Sequence, residues 1–520
     1  MKRNQLPIGI QHFPTIREGD FYYVDKTPLI RDLVDQGRYY FLSRPRRFGK
    51  SLLVDTLGEL FKGNEPLFQG LDIHDHWDWS IQHPVVRLSF DGNYREPGNL
   101  HSNIISQLTM IEQDHGLNPG AHMTGPDRLQ KLLHSLHRTT GRQAVVLVDE
   151  YDKPILDVID HPEMATANRD YLRGFYGIIK GSARDVRFVF VTGVSMFSKV
   201  SLFSGLNNLE DISLNPGYAT ICGYTDRDLD TVFAPELPGL DRKEVRRWYN
   251  GYHWRGDEKA YNPFDVLLLF RNREFRPWWF ETGSPEFLFR LLMEKQVSPM
   301  ELEHRITDEK LVSKFDVEDI GVDALLFQTG YLTITGEERD GPKTFYALDY
   351  PNFEVQQSLN DGLLGYLGKT GKEVSDRGKE LVNLLAANDF GGFADRLKSF
   401  FAGIPYQWQG THGPARYEAW YAGMLYACFR TIGLDLRVED SSSRGRTDMV
   451  VLHGGQVFIF EFKMADGEDD SDSAAQSAIE QIQSKGYAEK YRDRSEPVHL
   501  VGVAFDRSLR NLAAVKVVKA

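Results

Sequence analysis

The sequence predicts an α/β protein with two chemically distinct ends joined by a helical middle. Three observations carry this. An apolar strand runs into "SRPRRFGKS" and a leucine-periodic helix near the N-terminus. Two further apolar strands, "AVVLVDE" and "VRFVFVTG", end in polar residues. Near the C-terminus, "TDMVVLHGGQVFIFEFK" reads as two strands joined by a Gly-Gly turn. At 520 residues the chain exceeds one ordinary core, and a prior of ~150 residues per domain gives roughly three units.

The first end begins with "RYYFLS", a buried strand, and "SLLVDTLGELF", whose leucines recur at helical spacing. Between them stands Gly49-Lys50-Ser51. A strand, a tight loop and a helix opening on Gly-Lys-Ser form a phosphate cradle. Backbone N–H groups and the helix N-terminus are expected to face phosphate, with Lys50 neutralising it and the Ser51 hydroxyl on Mg²⁺; Arg46, Arg47, Phe48, Gly49 and Leu52 belong to this expected cofactor-binding segment, in which Arg46 or Arg47 could also reach a phosphate. This Walker A pattern departs from G-x-x-x-x-G-K-[ST] at one position, where Arg44 stands in place of the first glycine. The partner Walker B element is "VVLVDE": Asp149 would order the Mg²⁺ and Glu150 would polarise the attacking water. A third strand ends in Thr192 and Ser195, placed to sense a γ-phosphate. Pro84 to Phe90 fits an extra strand inserted in the parallel sheet. Each motif alone has an ordinary alternative, a capped turn or a buried strand end. Their conjunction in this order favours an ATP site.

The second end starts from Asp448 at the head of one strand, with Glu461 and Lys463 two apart on the next, so that the latter two emerge on one face. An isolated "EFK" is commonly a surface ion pair. Here it lies among Phe458, Ile459, Phe460 and Phe462, where unpaired charge is costly. Carboxylates from neighbouring strands beside a lysine suit a divalent cation and an activated water, the chemistry of phosphodiester hydrolysis. Glu418, on the preceding amphipathic stretch, is a further candidate ligand, so the expected set is Glu418, Asp448 and Glu461 around Mg²⁺ or Mn²⁺; Glu439 is a weaker one. On the following helix, Gln481 and Lys485 share one face and Tyr487 lies near it, a candidate contact to nucleic acid.

Composition sets limits. The net charge of −13 argues against non-specific coating of nucleic acid, which needs many cations to neutralise phosphates, but leaves room for a local basic groove. No window is long and apolar enough to span a bilayer, so the expected location is the cytoplasm, without a membrane partner. The two cysteines, Cys222 and Cys428, read as buried thiols. "HDHWDW" has metal-type residues but no distant third ligand and reads as a loop.

With these residues in place, the chain resembles prokaryotic AAA-ATPase-like proteins that carry a C-terminal PD-(D/E)XK nuclease domain. The resemblance runs nearly end to end, through "YVDKTPLI", "SRPRRFGKSLL", "VVLVDEYDKP", "VTGVSMFSK", "WYNGYHW", "YNPFDVL", "WWFETGSPEFL", "LLFQTGYLTI", "YPNFEV", "GRTDMVV" and "FEFK". Arg44 looks ordinary for that family. The resemblance implies an N-terminal P-loop NTPase with a parallel sheet over residues 1–217, and a helical lid or winged-helix-like region over 218–360. It further implies a helical connector over 361–409 and a restriction-endonuclease-like α/β domain over 410–520. The implied activities are those of an ATPase and a metal-dependent deoxyribonuclease, with DNA as partner, self-association into a homo-oligomer compatible, and defence against foreign DNA suggested by analogy. The rival expectation is a nucleotide-gated scaffold whose nuclease fold binds without cutting; a third is that nucleotide acts only as a switch.

Overall fold

A computed structural model describes residues 3–120, 123–196, 206, 208–280, 286–308, 321–366, 371–403, 414–442, 445–467, 470–491, 494–506, 508–509 and 511–520. Two compact units divide the chain: residues 1–279 with 306–354, and residues 280–305 with 355–520.

The first unit is built on a five-stranded parallel sheet. Its strands are β1 (Tyr39–Ser43), β2 (Val85–Ser89), β3 (Ala144–Asp149), β4 (Val186–Gly193) and β5 (Glu210–Asp211), in the order β2-β3-β4-β1-β5. Every residue of β3 is buried, as expected for a parallel strand covered on both faces. The extra strand expected from Pro84–Phe90 is present as β2, parallel to β3 at the sheet edge, and β4 lies between β1 and β3. Helix Lys50–Lys62 starts from Gly49 and ends at Gly63, both left-handed, and Gly63 N–H closes the last turn on Glu59 and Leu60.

The region from 218 onward is largely helical, and it adds an element that helical periodicity does not announce. Strands β6 (Arg305–Asp308), β7 (Thr333–Asp340) and β8 (Lys343–Asp349) form a sheet in the order β6-β8-β7. The legible signal was Gly341, whose φ of 58° closes the β7–β8 hairpin between Asp340 and Lys343. Part of "FETGSPEF" lies outside the described residues.

The second unit carries a mixed sheet of β9 (Asp435–Ser442), β10 (Gly445–His453), β11 (Gln456–Ala465), β12 (Val498–Asp506) and β13 (Asn511–Lys519), in the order β13-β12-β11-β10-β9. Only β11 and β12 run parallel. The expected hairpin is present: His453 pairs with Gln456 across Gly454 and Gly455, both at positive φ. Helices Gly371–Ala386, Phe390–Ala402 and Pro414–Thr431 precede the sheet. No helix among the described residues is long and apolar enough to cross a membrane.

Candidate active sites

In the first unit, parallel strands deliver polar residues to one edge of the sheet. Register places Thr192 beside Leu42 of β1, one step beyond the Val148–Val191 pair of β3 and β4. Thr192 is thus wedged between the strand that feeds the P-loop and the strand that ends in Asp149. The Ser51 hydroxyl lies near enough to the Asp149 carboxylate to favour its ionised form against burial. Lys50 lies buried against the loop, donating from Nζ to the carbonyls of Arg44 and Pro45, each at 2.9 Å. Burial lowers the Lys50 pKa, and the charges of Asp149 and Glu150 oppose that shift. Burial likewise raises both carboxyls, Glu150 additionally through Asp149. Asp149 Oδ1 and Thr192 Oγ1 are buried without a hydrogen-bond partner. Buried polar atoms are rarely left so, and a hydrated cation with its phosphate would satisfy both.

The flanking residues have different roles from one another. Arg46 and Arg47 are exposed at the rim. The Phe48 ring is core, edge-on to Tyr252 at 4.7 Å and Trp254 at 5.3 Å, so only its backbone remains for a ligand. Ser195 does not face the site: its hydroxyl donates to Asp152 at 2.5 Å, and Asp152 also receives the Val194 and Ser195 N–H groups. Arg44 is fully buried and holds the loop to later chain, donating to the carbonyls of Ser43 (2.8 Å), Ser213 (2.9 Å) and Tyr218 (3.1 Å), with its guanidinium 4.1 Å from the Trp254 ring centroid. Here a side chain does by tertiary contact what glycine does in the common motif by conformational freedom.

Sequence reasoning missed a cavity of about 120 Å³ next to Gly49 and Leu52, lined mainly by apolar groups including Ile10, Tyr23, Cys222, Phe264 and Leu267. Its walls come from segments far apart in sequence, so no local pattern announced it.

In the second unit the β10–β11 ladder stops at Met449–Phe460, and side chains continue the pairing. Thr447 Oγ1 donates to the Phe460 carbonyl at 3.0 Å, and Asp448 Oδ2 accepts the Phe462 N–H at 2.9 Å. This pins the Asp448 carboxylate between the strands. Glu461 is 2% exposed and has Lys463 Nζ 3.8 Å from Oε1, which bears out their common face. Burial, then Asp448, pushes the Glu461 pKa up to about 8, with Lys463 opposing. Glu418, on the Pro414–Thr431 helix, is raised to about 6 by burial, with Lys463 opposing the shift and Asp448 adding to it. The four predicted groups therefore form one electrostatic cluster. The Glu439 side chain lies outside the described residues.

The Ser471–Ser484 helix completes this centre. Gly502 of β12 is the register partner of Glu461, and a Cβ there would come within 2.2 Å of the Ala475 carbonyl. The missing side chain lets the helix lie on the strand, and Gln481 Nε2 reaches Glu461 Oε1. Tyr487 is buried near Gln481 and Glu461, whereas Lys485 is exposed. Two of the three candidate nucleic-acid contacts thus face the carboxylate cluster.

Three carboxylates supply the hard oxygen donors that Mg²⁺ and Mn²⁺ prefer, and Glu461 Oε2 is buried without a partner, so the residues fit a divalent ion. As they stand, among the described residues, no three His, Cys, Asp or Glu side chains come together in a group that could hold a metal ion. In this centre one Asp448 oxygen serves Phe462 and one Glu461 oxygen serves Gln481. "HDHWDW" is a local 3-10 turn, with His76 on the Asp72 carbonyl and His74 on Asp75.

Fold and sites together define a P-loop α/β protein joined to a mixed-sheet α/β unit with a buried acidic centre. Comparison with known proteins agrees. A predicted AAA-ATPase family model matches residues 7–203, and a PD-(D/E)XK nuclease superfamily model matches residues 416–514. A protein of Azotobacter chroococcum mcd 1, described as an uncharacterized protein in the vnfD 5′ region, is 52% identical over 515 residues, 98% of each chain. Among solved structures, the Aeropyrum pernix ORC1 protein in complex with DNA is similar at 14% identity and TM-score 0.25, over 66% of this chain and 94% of that one. The chain belongs to the family of AAA-ATPase-like proteins with a C-terminal PD-(D/E)XK nuclease domain.

Proposed function

We propose that this chain is an ATP-regulated, Mg²⁺-dependent nuclease that hydrolyses phosphodiester bonds of DNA. The observation that carries the reading is Glu461 Oε2, buried and unpartnered beside Asp448, Glu418 and Lys463. A carboxylate held in an apolar strand without a partner for one oxygen is poorly placed for stability alone and well placed for a ligand. A bound divalent ion supplies Lewis acidity and lowers the pKa of its water. Glu418, Asp448 and Glu461 would hold it, and Lys463, beside Glu461, would orient the water or stabilise charge on the phosphate. Lys485, exposed at the end of the Ser471–Ser484 helix, would meet the DNA backbone.

In the first unit, Lys50, Ser51 and Asp149 would hold ATP and its Mg²⁺, Glu150 would orient water, and Thr192 would report the γ-phosphate. The apolar cavity beside Gly49 would seat the nucleobase by shape, since polar groups in its walls are already committed: Thr56 Oγ1 to the Leu52 carbonyl at 2.8 Å, and Lys26 to Asp228 at 3.0 Å. Incubating the full chain with circular and linear DNA, with and without ATP and Mg²⁺, tests the proposal. Metal-dependent cleavage that vanishes in Asp448→Ala supports it, and full cleavage by that variant removes the nuclease assignment.

A second reading, a nucleotide-gated scaffold that binds DNA or a partner without cutting, is favoured by one contact, Gln481 on Glu461. Mn²⁺ binding that is lost in Glu461→Gln separates the two, because a scaffold has no use for the ion.

A further inference from the structure

Glu150 holds a backbone conformation that its residue type does not favour. Its φ of 55° is left-handed, a region that residues other than glycine enter rarely and keep only where the surroundings over-determine it. Hydrogen bonds bracket it on both sides: the Asp149 carbonyl accepts the Phe90 N–H at 3.1 Å, and the Tyr151 N–H donates to the Thr192 carbonyl at 3.1 Å. The Glu150 carbonyl itself accepts the Lys153 N–H at 3.0 Å. A further anchor stands two residues on. Asp152 is 1% exposed, and its carboxylate does not cap the short helix Lys153–Leu156 that it precedes. It reaches instead to the chain beyond β4, where Oδ2 accepts the Val194 N–H at 3.1 Å, the Ser195 N–H at 2.6 Å and the Ser195 hydroxyl at 2.5 Å. The Tyr151 hydroxyl donates to the Ser195 carbonyl at 3.0 Å, and its ring packs edge-on to Phe41 of β1 at 5.3 Å. Gly193 makes the approach possible, since a Cβ there would come within 2.5 Å of both Asp152 Oδ1 and the Tyr151 ring.

The turn that carries Glu150 and the turn that follows Thr192 are therefore latched to each other by a buried carboxylate. Hydrogen bonds of N–H groups to a carboxylate are the stronger kind, and they bind here two segments that lie some forty residues apart in sequence. We propose that Asp152 is a positioning residue for ATP hydrolysis, holding the Glu150 turn against the Thr192 turn so that the attacking water and the γ-phosphate are met by groups fixed relative to each other. The inference rests on the reading that the Lys50 site binds ATP and that Glu150 orients water. Asp152 acts through Glu150. Without the latch, Glu150 relaxes toward an ordinary backbone conformation and its carboxylate leaves its place. Lys50 is held separately, by the Arg44 and Pro45 carbonyls, so nucleotide affinity does not follow.

Single-turnover phosphate release by the full chain, paired with calorimetric measurement of ATP binding, tests the latch. Asp152→Asn keeps the shape but puts an amide where a carboxylate oxygen stood. It should slow release about tenfold or more and leave ATP affinity within about twofold of the wild type. Added to Glu150→Gln it should cost nothing further, because the group it positions is already disarmed, whereas a general folding defect would cost the same factor in both backgrounds. A wild-type rate in Asp152→Asn, or an equal loss in both backgrounds, overturns the latch. Should Asp152→Asn not fold, Ser195→Ala decides, since it strips one donor from Oδ2 and leaves both N–H groups in place: slower release at unchanged affinity supports the latch, and a wild-type rate overturns it. A wild type that binds ATP and releases no phosphate overturns the inference and leaves the nucleotide site standing; one that binds no ATP overturns both.

Discussion

Arg44 offers a direct test of how this P-loop is held, because restoring glycine there repairs the common motif on paper. The structure gives the arginine no phosphate-facing role. Its guanidinium is buried among the carbonyls of Ser43, Ser213 and Tyr218 and against Trp254. Truncation strands several buried carbonyls at about 1–3 kcal/mol each and forfeits a desolvated cation–π contact of about 2 kcal/mol. Relief from burying the charge offsets part of this: burial already lowers the Arg44 pKa to about 10. The net loss for Arg44→Gly is about 3–5 kcal/mol, comparable with breaking a buried polar pair. At about 2.1 cal/mol/K per residue, a unit of this size should then melt roughly 4–7 °C lower. The assay is a thermal melt followed by circular dichroism, with ATP affinity measured well below the transition. Arg44→Lys, which cannot reproduce the fork of donors, should fall between. A glycine variant that melts within about 1 °C of the wild type yet loses ATP would refute the reasoning, because Arg44 would then be a phosphate ligand.

Lys50→Ala should weaken ATP binding by about a hundredfold or more, while Glu150→Gln should bind ATP normally and release phosphate more slowly; equilibrium binding and phosphate release separate the two. At the acidic centre, cation binding must displace the proton that burial holds on Glu461. Mn²⁺ affinity, followed by electron paramagnetic resonance, should rise about tenfold per pH unit as pH approaches about 8 and level off above it. The sign follows from the direction of the shift: a raised carboxyl is protonated, and so cation-poor, below its folded-state pKa. Gln481→Leu removes the amide that favours the ionised form of Glu461 and should move that profile to higher pH; an unmoved profile would separate Gln481 from metal binding.

Much of the fold was legible because its signals are local. Apolar runs that alternate with helical periods announced the parallel strands, and Gly454-Gly455 announced the hairpin. Residue type and order marked Lys50, Ser51, Asp149, Asp448, Glu461 and Lys463, because phosphate and divalent cations demand particular charges wherever the chain folds. The β7–β8 hairpin escaped the helical reading because much of its outer face is polar and exposed, leaving Gly341 as its mark.

What the amino-acid order alone determined is chemical identity and local geometry: which groups can neutralise phosphate or hold a cation, and which strands and turns present them. The purpose of Arg44, the cavity beside Gly49 and the Gln481 contact to Glu461 were decided only by tertiary structure. Each joins residues distant in sequence, and its energy comes from excluding water around groups that have no reason to meet until the chain has folded.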